Sequence, residues 1–427
     1  MDDATQTPTP QRPPPPQDLT CRCCIVGGGP AGMMLGLLFA RAGVDVVVIE
    51  KHADFLRDFR GDTIHPSTLE ALNDLGLLDE FLTLPHQEAR RLEGRVGDVT
   101  IPIADFSHLP TRAKFIAFMP QWDFLDFLAK KASLYPHFRL LMSTEAVGLL
   151  KDGSRIAGVA AKNQTGALTI RADLTIGADG RHSRIRDAAG FVPLNIGAPM
   201  DVLWFRLSRR ADDESEAFGR MDAGQILVLI NRGAHWQCGY VIPKGTADAL
   251  KAAGIDNLRK RIAALAPFLG DRVAELASFD DVKLLSVAVD RLPLWHRSGL
   301  LCIGDAAHAM SPVGGVGVNL AIQDAIATAN LLSVPLLDQP RPPDECLAKV
   351  QARREFPTKA TQALQVFIQS KVISRVLAGS GKMRPAWFLR LFIIAPLLRR
   401  LPAHVIGLGV RPERVASPAA SQERRSA

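Results

Sequence analysis

The 427-residue sequence predicts an α/β fold in which a parallel, doubly wound sheet is interleaved with an antiparallel sheet and followed by C-terminal helices. Three observations carry that prediction. A glycine-rich turn joins an apolar strand to an apolar helix between Cys21 and Gly43. Two later apolar strands end at Asp179-Gly180 and Gly304-Asp305, each running into a polar or glycine-rich loop. Between those strands the pattern shifts to a period of two, the mark of half-buried antiparallel strands.

Composition narrows the function classes. The net charge of +7 is uneven: from Lys371 onward there are eleven Lys/Arg against Glu413 and Glu423, so the remainder is slightly acidic. No basic stripe runs through the body, which disfavours a nucleic-acid-binding protein. Residues 1–20, "MDDATQTPTPQRPPPPQDLT", lack the basic start and apolar core of a secretory signal and read as a disordered, proline-rich arm. Six cysteines in so long a chain form no disulfide framework, so the expected compartment is cytoplasmic. No metal site is expected, because Cys238, Cys302 and Cys346 stand alone without a histidine pair at ligand spacing. Cys21, Cys23 and Cys24 therefore read as small apolar residues of a core strand.

That strand, Cys21 to Val26, leads into Gly27-Gly28-Gly29-Pro30-Ala31-Gly32, which satisfies G-x-G-x-x-G. A helix follows to Gly43, then a β-branched strand that ends in Glu50, 18 residues after Gly32. Glycines there allow a tight turn and let a pyrophosphate approach the helix N-terminus, where N–H groups and the helix dipole favour anions. A carboxylate at Glu50 accepts hydrogen bonds from ribose hydroxyls. The unit is a Rossmann-like dinucleotide-binding fold. "LTIGADGRHSRIR" (174–186) and "GLLCIGDAAHAMSPVGGVGVNLAIQDA" (299–325) add two strand-end carboxylates, Asp179 and Asp305, and a glycine loop opening a long helix near Val318-Asn319. Loop N–H groups and a helix N-terminus suit the polar edge of a flavin ring.

These three ordered motifs resemble the single-component FAD-dependent aromatic hydroxylases, the family that contains para-hydroxybenzoate hydroxylase, over about residues 23–365. "RGDTIHPSTLEALNDLGLLDEF" (60–81) and "MPQWDFLDFL" (119–128) are similar to two further segments of that family. The resemblance assigns FAD contacts to Gly27, Gly29, Pro30, Ala31, Gly32, Glu50, Lys51, Arg60, Gln121, Asp179, Asp305, Pro312, Gly315, Gly317, Val318 and Asn319. It implies NADPH or NADH as co-substrate and O2 as oxidant, with a flavin C4a-hydroperoxide passing one oxygen to an electron-rich aromatic, phenolic or quinone-type substrate. No catalytic side chain is implied, and His65 and His308 read as residues held by local hydrogen bonds. One departure is Val316, where the family usually has glutamine. The other readings are a reductase or dehydrogenase of the same fold acting on a lipophilic substrate, and a non-catalytic flavin-binding or membrane-surface protein. A halogenase is disfavoured, because "WQCGYVIP" lacks the second tryptophan of W-x-W-x-I-P.

The expected organisation is a cofactor domain over 21–190 carrying inserted substrate-domain segments, a β-sheet substrate domain over 191–290, and the rest of the cofactor domain over 291–370. Trp204, Phe205, Trp236 and Tyr240 are the large side chains of the sheet, and alternation alone does not say which face a pocket. A helix broken near Pro357 leads to a basic, apolar helical tail over 371–427. The tail suits packing on the body or peripheral contact with a membrane. Oligomeric state is not legible.

Overall fold

The structure is a computed structural model that describes residues 17–56, 62–213, 218–379, 381–385 and 387–420. Most of the proline-rich arm thus lies outside the described residues. The parallel sheet is built from β1 (Gln17–Val26), β2 (Val46–Ile49), β3 (Phe138–Leu141), β4 (Gly166–Gly177) and β5 (Leu300–Cys302) in the order β5-β4-β1-β2-β3. Strand β1 begins at Gln17 rather than Cys21, because Gln17–Thr20 keep pairing with Leu168–Arg171 of β4. Strands Glu145–Asp152 and Arg155–Asn163 extend β4 in antiparallel fashion.

Helix α1 (Pro30–Ala42) starts on a proline, whose fixed φ suits the first helical position, and stops at Gly43, whose φ of 91° supplies the left-handed cap. It is apolar all round and packs between the sheet, α2 (Gln121–Ala132) and α3 (Gly317–Asp338). The opening cysteines belong to this core. Burial pushes the Cys21 thiol up to about 12 and lifts Cys23 and Cys24 well above the ordinary range. A thiol held protonated is neither a nucleophile nor a ligand. The stretch 313–338 is long and apolar enough to cross a membrane by composition, but 72% of its apolar window is buried and Asp324 sits within it. It is a core helix.

Seven strands form the second sheet, in the order 283–285, 200–208, 235–243, 225–231, 218–222, 91–96 and 99–105. Its outer face carries Phe205, Trp236 and Tyr240, all buried with residues of the 247–276 helices. Trp204 faces the other way, toward the cofactor side, among Val202, Ile226, Val241 and Val313. Its indole lies over Gly239, where a Cβ would come within 3.1 Å of the ring.

Helix α4 (Asp344–Ile368) runs unbroken through Pro357, contrary to the break its sequence predicts. Proline removes one backbone bond, but side chains on the following turns hold the helix to the body. Gln362 donates to the carbonyls of Asp290 and Ala309, and Gln365 to those of Ser311 and Val313. Tertiary bonds outweigh the local rule. The C-terminal stretch is largely part of the body. Helix 400–407 buries Ala403 against the cluster of Phe106 and Leu109. Glu413 pairs with Arg353 at 2.7 Å, and the Ala420 N–H donates to the Arg41 carbonyl at 2.8 Å.

Candidate functional site

The three motifs meet at the carboxyl ends of β1, β4 and β5. A Cβ at Gly27 would lie 2.4 Å from the Ala178 oxygen, and one at Gly32 would lie 1.9 Å from the Gly27 oxygen. Only glycine permits that contact between turn, strand and helix. Gly304 closes the group: its Cα faces Ala321 of α3 and Ala31 of α1, with a Cβ placed 3.1 Å and 3.3 Å from theirs. Gly29 is different. No atom of the described residues lies within 4 Å of where its Cβ would be. It is the N-cap of α1, with no side chain capping the helix and Pro30 next. The first-turn N–H groups of Ala31 and Gly32 therefore border open space, as an anion site requires.

Glu50 is nearly buried and already employed. Its Oε2 accepts the Gly28 N–H at 2.9 Å, and its Oε1 accepts the His52 N–H at 3.1 Å and faces His52 Nδ1 at 2.5 Å. The carboxylate thus shapes the glycine turn, a role that spacing alone did not show. Lys51, next in the chain, is exposed. A Glu50→Ala variant is expected to retain FAD about ten- to a hundredfold less well, since each charge-assisted hydrogen bond contributes about 1.5–3 kcal/mol. Dialysis followed by flavin absorbance measures this, and wild-type retention would remove Glu50 from the site.

Asp179 accepts from the Ser183 hydroxyl and from the Ile185 N–H at 3.2 Å, so it shapes the turn into helix 184–188. Burial pushes its carboxyl pKa up. Asp305 is half-buried and faces Arg181 of the neighbouring motif at 3.5 Å. In the following loop Pro312 precedes Gly315, whose φ is +64° and whose carbonyl accepts from Thr63 Oγ1 at 3.0 Å. Gly317 and Val318 open α3, and the Asn319 N–H follows in its first turn. The Asn319 side chain does not extend toward a cofactor. Its Oδ1 accepts from the His65 N–H at 3.0 Å and from Thr68 Oγ1 at 2.6 Å, and its Nδ2 donates to the Thr63 carbonyl at 3.3 Å. Asn319 pins the segment after Arg60 to the glycine loop. Arg60 itself lies outside the described residues.

Gln121 begins α2, and its N–H donates to Asp62 Oδ1 at 3.3 Å. Asp62 also pairs with Arg232 at 2.7 Å, both nearly buried, and Arg232 Nε donates to Gln237 Oε1 at 2.8 Å. This ion pair fastens the antiparallel sheet to the cofactor domain. Sequence reading missed it, because Asp62 stands in the 60–81 segment while Arg232 lies 170 positions away in a turn between sheet strands that no motif relates to it.

His65 is fully buried. Its Nδ1 lies 2.7 Å from the Ile406 carbonyl, so Nδ1 carries the proton and Nε2 presents a lone pair. That Nε2 has no partner and lies 3.5 Å from where a Cβ of Gly315 would be. Burial lowers its pKa from 6.5 to about 4. The folded protein therefore keeps His65 neutral where the unfolded chain would protonate it. Its contribution to stability is present above pH 6.5 and is lost as pH falls toward about 4. His65→Gln, which can still donate to Ile406, should lose that part of the acid sensitivity. Urea unfolding at neutral and mildly acidic pH checks it, and an unchanged pH slope would contradict it.

The donors and spaces present fit FAD. Gly29 leaves room at an uncapped helix start, Glu50 stands at the strand end, and Asp305 and the 312–319 backbone border the same strand ends. Residues 20–363 match the family described as FAD binding domain. The chain belongs to that family. It is 34% identical over 395 residues to 6-methylpretetramide 4-monooxygenase of Streptomyces rimosus, covering 92% of each chain. It is 26% identical over 314 residues to rifampicin monooxygenase of Rhodococcus hoagii, covering 70% of this chain and 61% of that one. Among solved structures, PqsL of Pseudomonas aeruginosa, a probable FAD-dependent monooxygenase, superposes with a TM-score of 0.72 at 22% identity, covering 83% of this chain and 97% of that one. The OxyS anhydrotetracycline hydroxylase of Streptomyces rimosus gives 0.71 at 21% identity, covering 92% and 77%. The two structural matches show the fold. Family and relatives together make this member an FAD-dependent monooxygenase whose substrate is a small aromatic molecule.

Proposed function

We propose that the protein uses NAD(P)H and O2 to hydroxylate a fused-ring, phenolic substrate of the aromatic polyketide kind. The observation that supports this most is the 34% identity sustained over 92% of both chains with a monooxygenase acting on 6-methylpretetramide. Geometry supports it too. The apolar inner face of the antiparallel sheet, with Val202, Trp204, Ile226 and Val241, packs with Ile373 and Val376 and also meets Val313 of the loop at the cofactor site. Bound FAD supplies the redox chemistry, accepting reducing equivalents from NAD(P)H and activating O2.

The chain's own residues bind, orient and exclude water. Ala31 and Gly32 would offer first-turn N–H groups to the pyrophosphate, and Glu50 would accept from the ribose. Asp305 and the backbone from Gly315 to Asn319 would hold the ribityl chain and the flavin ring. Trp204 offers an aromatic surface for a flat substrate, and its buried Nε1–H, without a partner among the described residues, can donate to a substrate oxygen. Neither buried histidine is placed as a general base: His65 is tied to Ile406, and His308 Nε2 to Asp324 at 2.6 Å. Only one G-x-G-x-x-G unit is present, so NAD(P)H docks transiently, without a dinucleotide fold of its own.

Turnover with fused-ring phenols under 18O2 is expected to leave one labelled oxygen in the product and to consume NAD(P)H in proportion. Product formed at the same rate without O2 would replace this reading with a reductase.

A further inference from the structure

We propose that the turns from Leu391 to Leu401 form a docking surface for an anionic lipid bilayer. Three short helical pieces, 391–394, 396–399 and 400–407, follow one another and pack along strand Val99–Asp105, the edge of the antiparallel sheet. Their inner side is fully used. Ala403 is buried, and a Cβ at Gly407 would lie 2.7 Å from Leu109.

The outer side is not covered. Ile394, Leu397 and Leu401 are 75%, 68% and 72% exposed, and Leu391, Ile393 and Leu398 are exposed beside them. Six exposed large aliphatic residues within eleven positions are a local concentration, where an ordinary surface scatters them singly. The display is also held in place. Arg399 Nε donates to the Phe392 carbonyl at 2.7 Å, and its terminal nitrogen to that of Ile393 at 3.0 Å, which ties the first piece to the second.

Charge chooses the occupant. Between Lys371 and Pro412 the sequence holds eight Lys/Arg and no Asp or Glu. Arg390 and Arg400 flank the patch and are exposed, as are Lys382 and Arg384 before it. Of these cations, Lys382 faces Asp98 of the adjoining hairpin at 3.8 Å, and Asp222 accepts from the Met383 N–H beside it at 2.8 Å. An apolar centre within a cationic rim matches acyl chains beneath anionic headgroups. A protein partner matched to this patch would instead have to present an acidic ring around an apolar socket. The surface is independent of the substrate reading. Joined to it, the surface would place the enzyme where lipophilic ring compounds concentrate.

The test uses the full-length holoenzyme and sedimentation with phosphatidylcholine vesicles, with and without phosphatidylglycerol. The wild type should pellet with the anionic vesicles at low salt, dissociate as salt rises, and stay in solution with phosphatidylcholine alone. Arg390→Gln with Arg400→Gln should weaken binding about twenty-fivefold, near fivefold per charge. Ile394→Ser, Leu397→Ser and Leu401→Ser together should weaken it about a hundredfold or more. All variants should keep their flavin absorbance and unfolding temperature, since none of these side chains packs inward. The proposal is overturned if the wild type ignores anionic vesicles, if it binds both vesicle types equally, or if the triple variant pellets like wild type. It is also overturned if light scattering shows that the triple change splits a dimer, which would make the patch a contact between copies of this chain.

Discussion

Replacing Asp324 with alanine is expected to cost about 3–5 kcal/mol of folding stability, the range for breaking a buried ion pair from one side. Asp324 is fully buried in α3 and satisfies three partners at once. Its Oδ2 accepts from His308 Nε2 at 2.6 Å and from the Gly304 N–H at 3.1 Å, and its Oδ1 from Arg354 Nε at 2.9 Å. Burial works to raise its carboxyl pKa, but His308 and Arg354 outweigh that and hold it below the usual carboxylate range. Without it, Arg354 keeps only Glu413 at 3.5 Å and the Arg411 carbonyl at 3.4 Å as partners, while remaining buried. Asp324→Asn preserves volume and the Gly304 contact but removes the charge, so its cost should approach that of alanine. Denaturant unfolding of both variants measures this. A cost below about 1 kcal/mol would mean that the network contributes little beyond packing.

The same carboxylate explains why motif residues were legible and their supports were not. Gly27, Gly29 and Gly32 are recognisable because their task is local: a turn of fixed spacing between strand and helix. Gly304 and Asp305 are legible for the same reason. What anchors that loop is Asp324, one helix later, and Arg354 on the next helix again, positions no local pattern relates. The Asp62–Arg232 pair joins residues 170 positions apart, and His65 meets a carbonyl 341 positions away. Asn319 was legible as a motif residue, yet its side chain turns to His65 and Thr68, because spacing places a Cα and does not aim a side chain. For the antiparallel sheet, alternation separates Trp204 from Phe205, but only the helices packed on one face show which of them turns toward the cofactor side. Pro357 is the opposite case, a strong local signal overruled by hydrogen bonds from Gln362 and Gln365. The basic tail was legible as a choice between body and membrane. The structure divides it, with Ala403, Gly407 and Glu413 committed to the body and Ile394, Leu397 and Leu401 left outside.

Gly29→Val is expected to leave the apo fold close to wild type while weakening FAD binding about a hundredfold or more. The two effects separate because of where the new atoms go. At Gly29 the backbone has φ −75° and ψ −176°, which any residue adopts, and no atom of the described residues lies within 4 Å of the new Cβ. The cost to the apo protein is then the poorer N-cap alone, about 1 kcal/mol. The branched methyls would instead occupy the space over the first-turn N–H groups, where the pyrophosphate must come close to be bound. Gly32→Ala provides the contrast. Its Cβ would sit 1.9 Å from the Gly27 oxygen, so that variant should disturb the fold itself and lose FAD together with stability. Thermal unfolding of the apo proteins and flavin fluorescence titration of the refolded chains separate the two outcomes. Tight FAD binding by a folded Gly29→Val protein would show that the pyrophosphate does not pass over this helix start.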